Sequence, residues 1–414
     1  MLKMISRIKA KIRDVFYKCR LHIYRHLDLP YKIGKIRQKD KIKVLFLVSE
    51  LSPWKTEELF LEMKKHPRFI PILGLFTSPE VPNARKQLEI YCKGKGYDFV
   101  DLDILDMKSL KADIIFYQKP YIDSSAYPEN MKIEKHLYAL FCYVSYAFHG
   151  VNATWSFNQK LYRYAWQVYY ENEQLVKERR PFFLRGGKNV VVTGLPIQDR
   201  LNIKSEDVID PWRDEKNRKR IIYAPHHTIS DMHWEGIAFS TFLEYFDFML
   251  EMADKYKEEV YFAFKPHPIL YKNLLKVWGK ERTDAYYDRW ASLENGQLEV
   301  GSYTGLFMHS DAMIHDCCSF TIEYHYTKNP VLYLIKDDHH ADNLSILSRT
   351  AFNLHYKAKT RNDIERFIQN VISETDPLKQ ERDIFFKESL MPPYGKTACE
   401  NIINSILGIK EYKS

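Results

Sequence analysis

Three histidine-bearing turns carry the sequence's chemistry, each behind a short apolar run that reads as a buried strand. The first is Tyr146-Ala147-Phe148-His149-Gly150. Gly150 permits a sharp turn and close ligand approach, and His149 could act as general base toward a hydroxyl, since an unperturbed imidazole titrates near neutral pH. The second is Tyr223-Ala224-Pro225-His226-His227-Thr228, with Asp231 and His233 close behind. The imidazoles invite a metal reading, but the spacing matches no standard site and adjacent residues on a turn point apart. Lining of a pocket by His226 or His227 is the preferred reading, and no bound metal is expected. The third is Phe264-Lys265-Pro266-His267-Pro268. Two prolines restrict the backbone around His267 and hold its ring in one direction. There it can donate to a phosphate oxygen and stabilise charge as a bond breaks.

A fourth stretch, residues 310–334, combines an apolar strand (312–314), the turn His315-Asp316-Cys317-Cys318-Ser319, an expected helix over 320–326, a Lys328-Asn329-Pro330 stop and a second strand (331–334). Ligands of open parallel sheets bind at the carboxyl ends of strands, and helix N-termini there favour anions. Ser319 and Thr321 would place hydroxyls and backbone N–H groups on a phosphate. The turn Thr193-Gly194-Leu195-Pro196-Ile197-Gln198-Asp199 ends another strand, with Asp199 expected to cap the next helix.

Strands are expected at 41–48, 70–76, 100–102, 113–117, 141–146, 168–170 and 190–193, with helices at 54–65, 83–93, 130–137, 159–166 and 173–184. Residues 196–220 are polar and irregular and read as a connection. A second alternation follows, with strands at 220–224 and 260–264 and helices at 239–255, 270–278, 363–372 and 396–407. Strands alternating with helices imply parallel α/β domains. The expected fold class is two Rossmann-like doubly wound domains facing across a cleft, preceded by a basic amphipathic helix. The expected divisions are an arm (1–40), a first domain (41–200), a second (201–390) and a C-terminal helix (391–414).

The 414 residues suffice for two or three cores. Six cysteines without C-x-x-C pairing fit free thiols in a reducing compartment. Of the net +8, residues 1–43 hold fourteen Lys/Arg against three Asp, which leaves the remainder at −3. Basicity confined to one arm argues against a nucleic-acid partner. Within 1–27, Ile5, Ile8, Ile12, Val15, Phe16, Cys19 and Ile23 recur at helical spacing among basic residues, as in a helix lying on an anionic membrane surface. No run of 18 apolar residues suggests a membrane span.

In this order the motifs resemble the CDP-glycerol glycerophosphotransferase family of teichoic-acid primases and polymerases. The matches are His149-Gly150; Gly194, Pro196 and Asp199; Tyr223–Pro225; Lys265, His267 and Pro268; Ser310, Asp311, Asp316, Ser319, Glu323, Tyr324, Lys328 and Pro330; and Tyr394–Ala398. The sequence departs from the pattern at Cys318, where a serine is usual, and at Val151-Asn152, where a Thr-Pro is usual. The resemblance implies a GT-B transferase, peripheral on the cytoplasmic face of the membrane. It would move glycerol phosphate, or a related polyol phosphate, from a CDP-linked donor to a hydroxyl of a polymer or lipid-linked glycan, with release of CMP and no cofactor. It further implies His149 as the base and Gly150 and Asp199 on the acceptor side. His267, Pro225, His226, His227, Lys265, Asp316, Cys318, Ser319 and Thr321 would surround the donor, and Glu323 would face its ribose. The alternatives are a GT-B glycosyltransferase using a nucleotide sugar and a non-catalytic membrane-peripheral protein that keeps the fold.

Overall fold

A computed structural model describes residues 15, 19–152, 154–229, 240–317, 319–336 and 343–409. Two compact units divide the chain. Unit 1 comprises Met1–Ala147, Ala153–Asp199 and Pro392–Ser414; unit 2 comprises Phe148–Asn152 and Arg200–Met391.

Unit 1 is built on seven parallel strands: β1 (Ile42–Val48), β2 (Phe69–Leu75), β3 (Val100–Asp101), β4 (Ile114–Phe116), β5 (Leu140–Val144), β6 (Gln167–Tyr170) and β7 (Val190–Val192). Their order is β3-β2-β1-β4-β5-β6-β7. The central strands are apolar on both faces because helices cover both. Residues 130–137 form two 3₁₀ turns, Glu129–Met131 and Ile133–Lys135, not the expected helix. Met131 and Ile133 are both fully buried, and two residues so spaced cannot share one helical face. Lys132, with non-helical φ −59° and ψ 134° between them, makes the break. The connection after β7 opens with an unexpected helix, Pro196–Leu201, which buries Ile197 and Leu201 one turn apart.

The expected separate C-terminal helix is part of unit 1. Helix Ala398–Leu407 begins with a Thr397/Glu400 capping box. Asn401 Nδ2 donates to Thr193 O at 3.1 Å, and Gln167 Nε2 to Ser405 O at 3.4 Å. The helix packs against helices Glu57–Lys65 and Leu29–Gln38, and its Ile402, Ile403 and Ile406 are buried.

Unit 2 has six parallel strands: β8 (Lys219–Ala224), β9 (Val260–Phe264), β10 (Gly296–Leu298), β11 (Ala312–His315), β12 (Val331–Leu334) and β13 (Tyr356–Ala358), ordered β10-β9-β8-β11-β12-β13. Register levels the strand ends: Tyr223 lies opposite Phe264, and Ala224 opposite His315. The turns after β8, β9 and β11 therefore emerge side by side. Beneath them Phe264 stacks on Trp290 with ring centroids 5.4 Å apart, and Phe242 meets Tyr286 edge to face. Truncating Trp290, fully buried here, would cost about 3–5 kcal/mol. Its helix, Lys280–Ser292, is polar enough to escape sequence reading, since only Tyr286, Tyr287 and Trp290 mark its apolar face. Residues 320–326 hold a four-residue helix, Phe320–Glu323, and a 3₁₀ turn, Tyr324–Tyr326, where one longer helix was expected.

Candidate active site

The β8–β9 ladder continues past both strands. Lys265 N donates to Tyr223 O at 2.8 Å and His267 N to Pro225 O at 3.1 Å. This pins the two histidine turns together. Ring centroids of His226 and His227 are 4.3 Å apart, those of His227 and His267 4.3 Å, and those of His226 and His267 5.1 Å. Asn273 Nδ2 donates to His227 O at 2.9 Å and ties the turn to helix Leu270–Val277.

Burial dominates the electrostatics. It pushes His267 down to about 3, with His227 and Lys265 adding repulsion, and holds His226 well below the usual imidazole range. His227 is lowered for the same reason. Lys265, only 6% exposed, is pushed down to about 8 by burial, against the raising influence of Glu299. Glu299 itself is committed to Gln297 at 2.8 Å and Arg213 at 3.4 Å. The Lys265 ammonium makes no hydrogen bond or ion pair with a described residue. A buried cation without a counter-ion is expensive, and an arriving anion repays that cost.

Ligand nitrogens of His226, His227 and His267 lie within 4.8 Å of one another, so geometry alone would admit a metal ion. Hydrogen bonding favours an anion instead. Ile269 N donates to His267 Nδ1 at 3.2 Å, which makes Nδ1 the acceptor and leaves the proton on Nε2. A metal needs a lone pair there, whereas a phosphate oxygen needs the N–H.

Asp316 follows β11 and is fully buried. Its Oδ1 accepts from His226 N at 2.5 Å; its Oδ2 accepts from Thr241 N at 2.7 Å and Thr241 Oγ1 at 3.1 Å. Burial raises it to about 6 against the lowering effect of these bonds. The carboxylate is thus committed to the protein, unlike a residue that contacts the donor. Thr321 likewise turns inward: it is buried, and its hydroxyl donates to Cys317 O at 3.0 Å. Ser319 is partly exposed and begins only a four-residue helix. Glu323 is buried at 2% exposure. Cys318, Asp231 and His233 lie outside the described residues.

His149 and Gly150 belong to unit 2, although the sequence reading put them in the first domain. Gly150 O accepts from Ser345 N at 2.9 Å, Asn152 N donates to Asn343 O at 2.8 Å, and Val151 bridges Leu344 antiparallel. These backbone pairs hold the segment within unit 2. His149 is 8% exposed. Asp199 stays in unit 1, where Oδ1 accepts from Ala398 N and Oδ2 from Cys399 N, both at 2.8 Å. It caps the C-terminal helix, and the implied acceptor-side role finds no support in that placement. Sequence reading missed Thr241 and Asn273; a Ser-Thr pair opening a helix was the available signal for the first.

The family profile described as CDP-Glycerol:Poly(glycerophosphate) glycerophosphotransferase matches residues 152–407. No curated protein sequence matches the chain. Among solved structures, the wall teichoic acid polymerase TagF soaked with CDPG is 13% identical, with a TM-score of 0.58 over 96% of this chain and 98% of that one. Another TagF variant reaches a TM-score of 0.61 at 12% identity, covering 99% and 97%. A UDP-GlcNAc 2-epimerase from Neisseria meningitidis bound to UDP-GlcNAc is 16% identical, with a TM-score of 0.55 over 88% and 99%. At these identities the likenesses establish the fold class, two doubly wound α/β units of the GT-B type.

Proposed function

The chain belongs to the CDP-glycerol:poly(glycerophosphate) glycerophosphotransferase family, and from that premise we propose that unit 2 seats the diphosphate of CDP-glycerol on the turns after β8 and β9. The observation that carries this reading is the buried Lys265 ammonium, which makes no hydrogen bond or ion pair with a described residue, two residues before His267 with its Nε2–H. His226 and His227 line the same seat, and Ser319 offers a hydroxyl from the neighbouring turn.

The transfer follows from positioning and charge stabilisation. An acceptor hydroxyl attacks the glycerol-side phosphorus. The bond from that phosphorus to the bridging oxygen breaks, and CMP leaves with the electron pair. His149 takes the hydroxyl proton. Lys265 and His267 offset charge on the diphosphate as it separates. The acceptor is a hydroxyl of a cell-surface polymer or a lipid-linked glycan.

Calorimetry with CDP-glycerol, CDP-ribitol and UDP-N-acetylglucosamine tests the donor. CDP-glycerol is expected to bind, and a preference for the UDP-sugar would overturn the assignment in favour of glycosyl transfer. Chelation of divalent ions is expected to leave CMP release intact. Its loss would return the three imidazoles to a metal role.

The protein's place is the cytoplasmic face of an anionic membrane. Within the described helical segment from residue 19, Leu21, Tyr24, Leu29 and Ile36 are buried, while Ile23, Leu27 and Tyr31 are 51%, 67% and 70% exposed at four-residue spacing. Such an apolar stripe within a strongly basic segment suits an anionic lipid interface. No helix among the described residues is long and apolar enough to cross a membrane.

A further inference from the structure

In a doubly wound sheet the ligand crevice is expected where strand order reverses. In unit 2 that point lies between β8 and β11. It is not open. The Asp316 carboxylate sits there, bonded to the backbone N–H groups of His226 and Thr241 and to the Thr241 hydroxyl. Those two amides are the donors that would otherwise cradle an anion at the switch point. The far side of the same turn is secured as well, since Tyr333 Oη donates to Asp316 O at 3.0 Å.

We infer that Asp316 is a positioning residue that occupies the switch point as an internal anion, fixes the His226 turn, and so displaces the donor diphosphate by one strand, onto the β8–β9 edge. The inference rests on the donor reading above. Three consequences of the geometry support it. An ionised carboxylate at the switch point repels a diphosphate placed on top of it. The bond to His226 N orients the turn whose next members, His226 and His227, face His267 at ring separations of 4.3–5.1 Å. The bond to Thr241 fixes the start of helix Phe242–Lys255, whose Phe242 packs against Phe264 directly below Lys265. One carboxylate therefore couples β11, the β8 turn and the floor beneath β9.

The test compares wild type, Asp316→Asn and Thr241→Val in the full chain, with CDP-glycerol as the probe. Asparagine keeps one acceptor oxygen but turns an NH₂ toward an amide N–H. Asp316→Asn is expected to raise the donor KM at least tenfold and to change kcat by less than threefold. It should also shift the His226 imidazole resonances in the absence of donor. Thr241→Val removes only the hydroxyl bond and should raise KM about threefold. A folded Asp316→Asn protein with wild-type KM and unshifted His226 resonances would overturn the inference. If Asp316→Asn does not fold, Thr241→Val decides: an unchanged KM overturns the inference and a raised KM supports it. Should the wild-type protein bind no CDP-glycerol, the donor reading fails; the His226 resonances still test whether Asp316 fixes the His226 turn.

Discussion

In the donor seat proposed above, Lys265 sets function against stability. Its folded pKa of about 8 lies below the ordinary 10.5, so the unfolded chain binds the extra proton between those values. Stability therefore rises with pH across that window, and the charged form costs on the order of 3 kcal/mol at neutral pH. Lys265→Met is expected to raise the melting temperature while raising the CDP-glycerol KM at least tenfold. In the wild type, donor KM should climb as pH passes about 8, because the ammonium is then lost. A Lys265→Met protein that is less stable, or that binds donor normally, would count against this assignment. His267→Ala should lower kcat about a hundredfold, the scale of removing one donor from developing charge, as measured by CMP release. The turn that holds Lys265 and His267 was legible in the sequence, because proline brackets and a strand end mark it. The commitments of Asp316 and Thr321 were not. Their partners, Thr241 and Cys317, are set by which segments pack together, and residue type alone does not carry that.

Among the elements, the exit turn after β7 illustrates how a motif can serve the fold. Gly194 has φ 80°, and a Cβ there would lie 3.0 Å from Ala398 Cβ, Gln198 Oε1 and Pro392 Cβ. Only glycine permits both the backbone and the contact. Asp199, five residues on, caps helix Ala398–Leu407. Asp199→Ala should therefore destabilise unit 1 by about 1–2 kcal/mol, read as a shift in the denaturant midpoint. An unchanged midpoint with lost turnover would restore a role at the acceptor. Strand placement was largely readable, since 260–264 and 331–334 match β9 and β12 to the residue. Short apolar runs bounded by turn residues and rich in β-branched and aromatic side chains read as strands by length and composition. Helices marked by aromatic residues amid charge, such as Lys280–Ser292, were not readable, because their stripe is narrow until a core is there to receive it.

For the whole molecule, the charge distribution makes the prediction. Replacing Ile23, Leu27 and Tyr31 together by serine should abolish sedimentation with phosphatidylglycerol vesicles and leave the melting temperature within a few degrees, since all three are exposed. Retained binding would move the membrane contact elsewhere. Deleting residues 1–27 is a poorer test, because Leu21 and Tyr24 are buried and their loss would disturb unit 1. By itself the sequence determined the fold class, the positions along the chain of the chemistry-bearing turns and the family, because periodicity and motif spacing are local properties of the chain. Only the tertiary structure decided that residues 148–152 join unit 2, that the last helix joins unit 1, and that the Asp316 carboxylate after β11 accepts from the His226 and Thr241 amides. Each depends on hydrogen bonds between segments from 75 to 200 residues apart, and such pairings are chosen by packing.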